Sequence, residues 1–113
     1  MNKPQQNYED ILINQIIANN LPPPTPQFKF HPHRKYKFDL AYPQQKIAIE
    51  IEGATYTIGR HQQPTGFTQD CLKYNLATLL GWSIFRVTPT LIKKGYALEL
   101  VKEVWNEFSE TNF

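Results

Sequence analysis

The run Ile47-Ala48-Ile49-Glu50-Ile51-Glu52 constrains this chain more than any other segment. Its strict alternation predicts a β-strand, because successive side chains of a strand leave opposite faces. Three isoleucines then share one face, and Ala48, Glu50 and Glu52 share the other. The isoleucine face needs a packed layer against it, while small and acidic neighbours leave space on the far side. Just upstream, Phe38-Asp39-Leu40-Ala41-Tyr42 alternates too, with the bulky residues predicted on one face and Asp39 and Ala41 on the other. A hairpin loop over Pro43–Lys46 pairs Tyr42 with Ile47. The same register sets Asp39 across from Glu50, with side chains about 5 Å apart. Carboxylates that close either raise one pKa or recruit a cation. No sheet gains stability this way.

Around this hairpin the remaining elements follow from periodicity and breakers. Tyr8 to Asn19 predicts a helix with Leu12, Ile13, Ile16 and Ile17 on one arc, stopped by Asn19-Asn20 and the Pro22–Pro24 run. Gln27–Phe30 and Tyr36–Tyr42 predict strands joined through His31-Pro32-His33-Arg34, and Lys46–Glu52 a third. Ala54 to Gly66 has no clear period and reads as a long loop. Phe67–Leu80 predicts a helix ended by Gly81, Trp82–Thr88 a strand ended by Pro89, and Tyr96–Phe108 a closing amphipathic helix. In that last helix Ala97, Leu100, Val101, Val104, Trp105 and Phe108 are expected to face inward. The order αβββαβα describes an α/β fold: one central mixed four-stranded sheet flanked by helices. At 113 residues the chain is expected to form a single domain over 1–113.

Composition removes several classes of function. No apolar run reaches the roughly 18–20 residues a membrane span requires. Met1–Gln6 carries no apolar signal core. The single cysteine, Cys71, cannot staple the fold and is expected to pack as a small hydrophobe, which fits a reducing cytoplasm. There is no glycine-rich phosphate cradle, nucleophile elbow or HExxH motif, so nucleotide-hydrolase, acyl-transfer and metalloprotease readings lack support. His31, His33, His61 and Cys71 match no standard zinc spacing. The net charge of +2 is mild, but the basic residues cluster: Lys29, Arg34, Lys35, Lys37 and Lys46 lie between Phe28 and Lys46, against Asp39 alone. With Phe28, Phe30, Tyr36 and Phe38 interleaved, this sector suits a phosphate backbone; it equally suits a lysine-guarded sheet edge.

The first helix repeats the acidic anomaly. At 100° per residue Glu9 falls near the middle of the apolar arc, where a buried acid is costly unless paired or coordinating. Glu9, Asp39, Glu50 and Glu52 are therefore expected to converge at one end of the sheet. Oxygen-only donors suit a hard cation such as Mg²⁺, with Mn²⁺ as a substitute, and Mg²⁺ keeps sites to which a substrate phosphate can add. The competing reading is that these acids are the solvent face of a half-covered sheet.

The ordered set of residues resembles the PD-(D/E)XK nuclease superfamily, and within it small phage and bacterial endonuclease-domain proteins akin to very-short-patch-repair enzymes. Phe30–Asp39 is similar to their second strand region and Ile49-Glu50-Ile51-Glu52-Gly53 to the metal-binding strand. Gly59-Arg60-His61, Gly66, Asp70, Lys73, Asn75 and Gly81-Trp82 resemble the following loop, helix and strand entry. The resemblance implies a restriction-endonuclease-like fold and metal-dependent hydrolysis of DNA phosphodiesters. It implies Asp39 and Glu50 as principal Mg²⁺ ligands, the Ile51 carbonyl completing the shell, and Glu9 as a ligand or a holder of water. One departure stands out: Glu52 occupies the position of the signature lysine. Glu52 is then expected to bind a second metal or act as general base, and Lys73 to supply the missing cation from the neighbouring helix. An i,i+3 ion pair with Asp70 is the alternative for Lys73.

Arg60 and Arg86 are candidates to clamp the scissile phosphate, with a salt bridge to a carboxylate as the alternative for Arg86. His61 is a candidate for proton transfer or backbone contact, and Arg34, Lys35 and Lys37 for DNA binding. Phe67, Tyr74 and Trp105 are expected in the core. The leading expectation is thus a Mg²⁺-dependent DNA endonuclease, with a homodimer or two sequential nicks as the routes to a double-strand break. A nuclease-fold module that binds nucleic acid without cutting is the alternative, and a structural subunit with solvent-facing acids is the third.

Overall fold

The opening helix, α1 (Pro4–Ala18), ends where the asparagines predict. Asn20 takes the left-handed conformation (φ 64°), its N–H reaching Ile17 O at 3.0 Å and that of Leu21 reaching Ile16 O at 3.2 Å. Those two bonds satisfy carbonyls that the helix leaves open. The computed structural model describes residues 4–53 and 64–111, with side chains over 8–53 and 66–107. Three strands follow α1: β1 (Thr25–Lys29), β2 (Lys37–Tyr42) and β3 (Ile47–Ile51). After them come helix α2 (Pro64–Leu79), strand β4 (Ser83–Val87), a short helix α3 (Pro89–Lys93) and helix α4 (Tyr96–Thr111).

The expected α/β order αβββαβα holds, as does the mixed four-stranded sheet. Its strands lie in the order β1-β2-β3-β4, antiparallel except for the parallel pair β3–β4. Tyr42 pairs with Ile47, as the loop length requires. The addition is α3. Pro89, which as a strand breaker was expected only to end β4, also opens this helix, because a fixed φ and a missing N–H suit a first helical turn. Thr88 caps it, its Oγ1 accepting from Leu91 N at 3.2 Å.

Two packed layers cover the sheet. Leu40, Tyr42, Ile47, Ile49, Ile51 and Val87 meet Leu12 and Ile16 of α1, Ile92 of α3, and Ala97, Val101 and Val104 of α4. On the opposite face Phe30, Phe38, Ala41 and Ala48 meet Ala77 of α2, with Trp82, Ile84, Leu76 and Leu80 around them. Small alanines on the inner strands let α2 approach, which is their structural use. Leu100 and Trp105 are partly buried against the first layer, and the Trp105 ring meets Tyr42 edge-on at 5.0 Å. The side chain of Phe108 lies outside the described residues. Among those residues, no helix is long and apolar enough to cross a membrane.

Several side chains depart from the pattern. Ile17 is half exposed, since the buried stripe of α1 runs through Glu9, Leu12 and Ile16 and leaves it at the rim. Cys71 is exposed and does not pack as a hydrophobe, and Phe67 is 66% exposed rather than in the core. Both follow from the rotation of α2, which turns Lys73, Tyr74 and Ala77 toward the sheet and leaves Leu72 and Leu79 exposed. Phe38 does not share a face with Leu40 and Tyr42; it joins Ala41 on the α2 side. The alternation of β2 therefore breaks at Asp39.

Candidate active site

Backbone pairing skips Asp39 on both sides. The β1–β2 register runs through Pro26↔Leu40 and Phe28↔Phe38 without a Gln27–Asp39 pair, and the β2–β3 register stops at Leu40↔Ile49. Carboxylates take over the hydrogen bonding there. Asp39 N donates to Glu50 Oε1 at 2.8 Å, and Ile51 N donates to Asp39 Oδ2 at 2.8 Å. Each acid thus accepts a main-chain N–H from the other's strand where the ladder has opened. The expectation of two acids stacked across one face is corrected by this geometry. Both are brought together, but by cross-capping the strands, because opposed carboxylates on a regular ladder would have no donors between them.

Helix α2 supplies the counter-charge. Lys73 Nζ lies 2.6 Å from Glu50 Oε2, the two side chains 16% and 7% exposed. Its ammonium also sits 5.5 Å from the Phe38 ring centroid and 5.4 Å from that of Tyr74. Lys73 therefore reaches the strand acid Glu50 rather than pairing with Asp70. Tyr74 is the participant that sequence reasoning missed, having placed it in the core. Its hydroxyl donates to Glu50 Oε2 at 3.2 Å, with Glu52 Oε1 at 3.5 Å. Burial and the negative charges of Glu50 and Glu52 push the phenol well above its ordinary pKa, so it remains a donor. Its adjacency to Lys73 in sequence was the one available signal.

Glu52 and Arg86 form the rim. Arg86 Nε lies 3.7 Å from Glu52 Oε1, both side chains about half exposed, and the guanidinium carbon lies 4.2 Å from the Tyr74 ring centroid. The carboxylate partner is thus the geometry observed for Arg86, through a loose pair that contributes little stability by itself. Glu52, Gly53, Phe67, Asp70, Cys71, Tyr74 and Arg86 line an open cleft of about 320 Å³ beside the acid pair.

Glu9 is buried at 7% exposure, and its Oε2 accepts from Gln27 Nε2 at 3.0 Å. Burial raises its pKa, the Gln27 bond opposes this, and the charges of Asp39, Asp10 and Glu50 raise it further. Asp39 is pushed up to about 6, first by burial and then by the Glu50 charge, against the Ile51 N–H and Lys73. Among the described residues no three His, Cys, Asp or Glu side chains stand close enough together to share one metal ion. Convergence is therefore tight for Asp39 and Glu50 and looser for Glu9 and Glu52. Ile51 enters through its N–H.

Arg34 and Lys35 are exposed in the β1–β2 connection, and Lys37, exposed at the start of β2, stands opposite Lys29. Facing lysines disfavour a strand pair and suit a bound anion. Lys46 is engaged elsewhere, donating to Leu80 O at the C-terminus of α2 at 2.8 Å. Arg60 and His61 lie outside the described residues. No protein-family model matches the chain, and comparison with curated proteins and with solved structures found no match.

Proposed function

We propose that this protein is a Mg²⁺-dependent DNA endonuclease hydrolysing phosphodiester bonds, with Mn²⁺ able to replace Mg²⁺. The observation that carries the reading is the opened ladder at Asp39, where Glu50 accepts from Asp39 N and from the Lys73 ammonium while the Asp39 carboxylate accepts from Ile51 N. Such a cluster lowers the stability of a sheet without improving its packing, which is the mark of a functional site. The donor set fits the cation: carboxylate oxygens suit a hard ion, and Mg²⁺ is commonly held by one or two carboxylates plus water and substrate phosphate. Asp39 and Glu50 would hold it, and the Ile51 carbonyl is the third candidate. A divalent cation bound there supplies Lewis-acid charge to the phosphoryl group.

The chain's own residues supply the rest. Lys73, free to shift from Glu50 to an incoming phosphate, orients the attacking water or neutralises the phosphorane-like charge. Tyr74 holds Glu50 in place, and Glu52 is the candidate base at the cleft. Arg86 already lies over an aromatic face, ready to exchange a loose carboxylate contact for a phosphate. Lys37 at the start of β2 and Lys35 and Arg34 in the connection before it continue a basic run from Asp39 toward the β1–β2 loop, along which the DNA backbone is expected to lie. One domain carries one set of acids, so a double-strand break would need two copies or two successive nicks.

A second reading is supported by the Glu50–Lys73 pair itself. With Glu50 neutralised by an ammonium and Glu52 in place of a lysine, a module that binds nucleic acid without cutting is also consistent. Supercoiled, mismatched and branched DNA incubated with Mg²⁺ or Mn²⁺ separates the two. Cleavage by the wild type that disappears in Asp39→Ala, while DNA binding persists, supports the endonuclease. Intact substrates alongside salt-sensitive binding support the module.

A further inference from the structure

Gln27 is the one residue in a strand of this protein whose backbone is left-handed among the described residues, with φ 50°. Glutamine has no special tolerance for that region, and a non-glycine residue held there is strained. The strain falls at the position facing Asp39, where the β1–β2 register is interrupted. A surface glutamine gains nothing from it unless its side chain is needed somewhere. The side chain of Gln27 goes to the buried carboxylate of Glu9, donating to Oε2 at 3.0 Å. Glu9 in turn lies within electrostatic range of Asp39 and Glu50. It is not close enough to share an ion with them directly.

We propose that Gln27 is a positioning residue, whose left-handed backbone turns its amide onto Glu9 and fixes that carboxylate as an outer anion beside the Asp39–Glu50 pair. Glu9 then acts on a cation at the pair through water, and Gln27 acts only through Glu9. The inference rests on the cation-binding reading above. Partners of this kind orient a site, and their loss typically weakens metal affinity about 10- to 100-fold.

The test uses Gln27→Gly, which relieves the backbone strain while deleting the donor. Calorimetric titration with Mn²⁺ gives the affinity, and thermal unfolding without metal gives the stability. The expected result is Mn²⁺ binding about 10-fold weaker or more, in a variant that still unfolds cooperatively in the absence of metal. Glu9→Gln should lose a similar factor, and adding Gln27→Gly to it should change nothing further, because the two residues act as one unit. Unchanged Mn²⁺ affinity in Gln27→Gly, or losses that add in the double variant, overturns the role of Gln27 and leaves the cation site standing. A wild type that binds no Mn²⁺ overturns both.

Discussion

At the scale of single residues, Asp39 is an acid whose charge the fold opposes. Its pKa is raised from 3.8 to about 6 by burial and by Glu50, so the folded chain holds this proton more tightly than the unfolded chain does. The sign follows from proton linkage: the stability contributed by protonated Asp39 is complete below about pH 4 and is lost as pH rises through about 6. Asp39→Asn keeps an oxygen to accept from Ile51 N but removes the charge. In chelator, this variant should be more stable than the wild type at pH 7, on the order of 1 kcal/mol, with the gap closing toward pH 4. Urea unfolding at several pH values reads this directly; a wild type more stable than the variant at pH 7 would contradict it. Lys73 gives the opposite case. Lys73→Met leaves buried Glu50 without its counter-charge and should cost about 3 kcal/mol, with Glu50→Gln in the same chain recovering most of the loss. A loss below about 0.5 kcal/mol would mean that the pair does not form in solution.

At the scale of elements, the boundaries depend on a few capping residues. Thr88 and Pro89 turn the end of β4 directly into α3, whose Ile92 is fully buried between α1 and α4. Thr88→Ala should lower the free energy of unfolding by about 1 kcal/mol, measured by denaturant titration, and Thr88→Ser should retain most of it. The chain order, the hairpin register and the C-terminal ends of α1 and α2 were legible because turn residues and β-branched alternation act locally, whereas both helices begin earlier than expected, at Pro4 rather than Tyr8 and at Pro64 rather than Phe67. The face on which Phe38 lies was not legible. It depends on the ladder opening at Asp39, a consequence of charge meeting charge across two strands. Alternation within β2 alone contains no trace of it. The rotation of α2 was hidden for a similar reason: its leucines gave an apolar stripe, but Lys73 is drawn to Glu50 and turns Leu72 and Leu79 outward.

For the molecule as a whole, the two faces of the sheet are unequally built. Helices α1, α3 and α4 bury a continuous aliphatic layer, whereas α2 buries Ala77 and leaves Leu79 82% exposed. Elements with little buried apolar surface open locally at lower free energy. Amides of α2 should therefore exchange with deuterium well before those of β3 and the buried turns of α4. Uniform protection across α2 and α4 would show that the α2 layer is as firmly held as the other. An opening of this kind separates Lys73 from Glu50 without unfolding the strands that carry the acids, which is the movement the proposed role of Lys73 requires.

The sequence by itself determined every element but α3, their order and the strands that carry Asp39 and Glu50, because these depend on periodicity and on turn chemistry within short windows. It also marked Glu9 as an acid in a core position. Only the tertiary structure decided how those acids meet: cross-capped main chains at Asp39, an ammonium brought from α2, a tyrosine bridging Glu50 and Glu52, and Gln27 strained onto Glu9. Those contacts join residues far apart in the chain, and their geometry is set by where buried charge finds a donor, which no local pattern encodes.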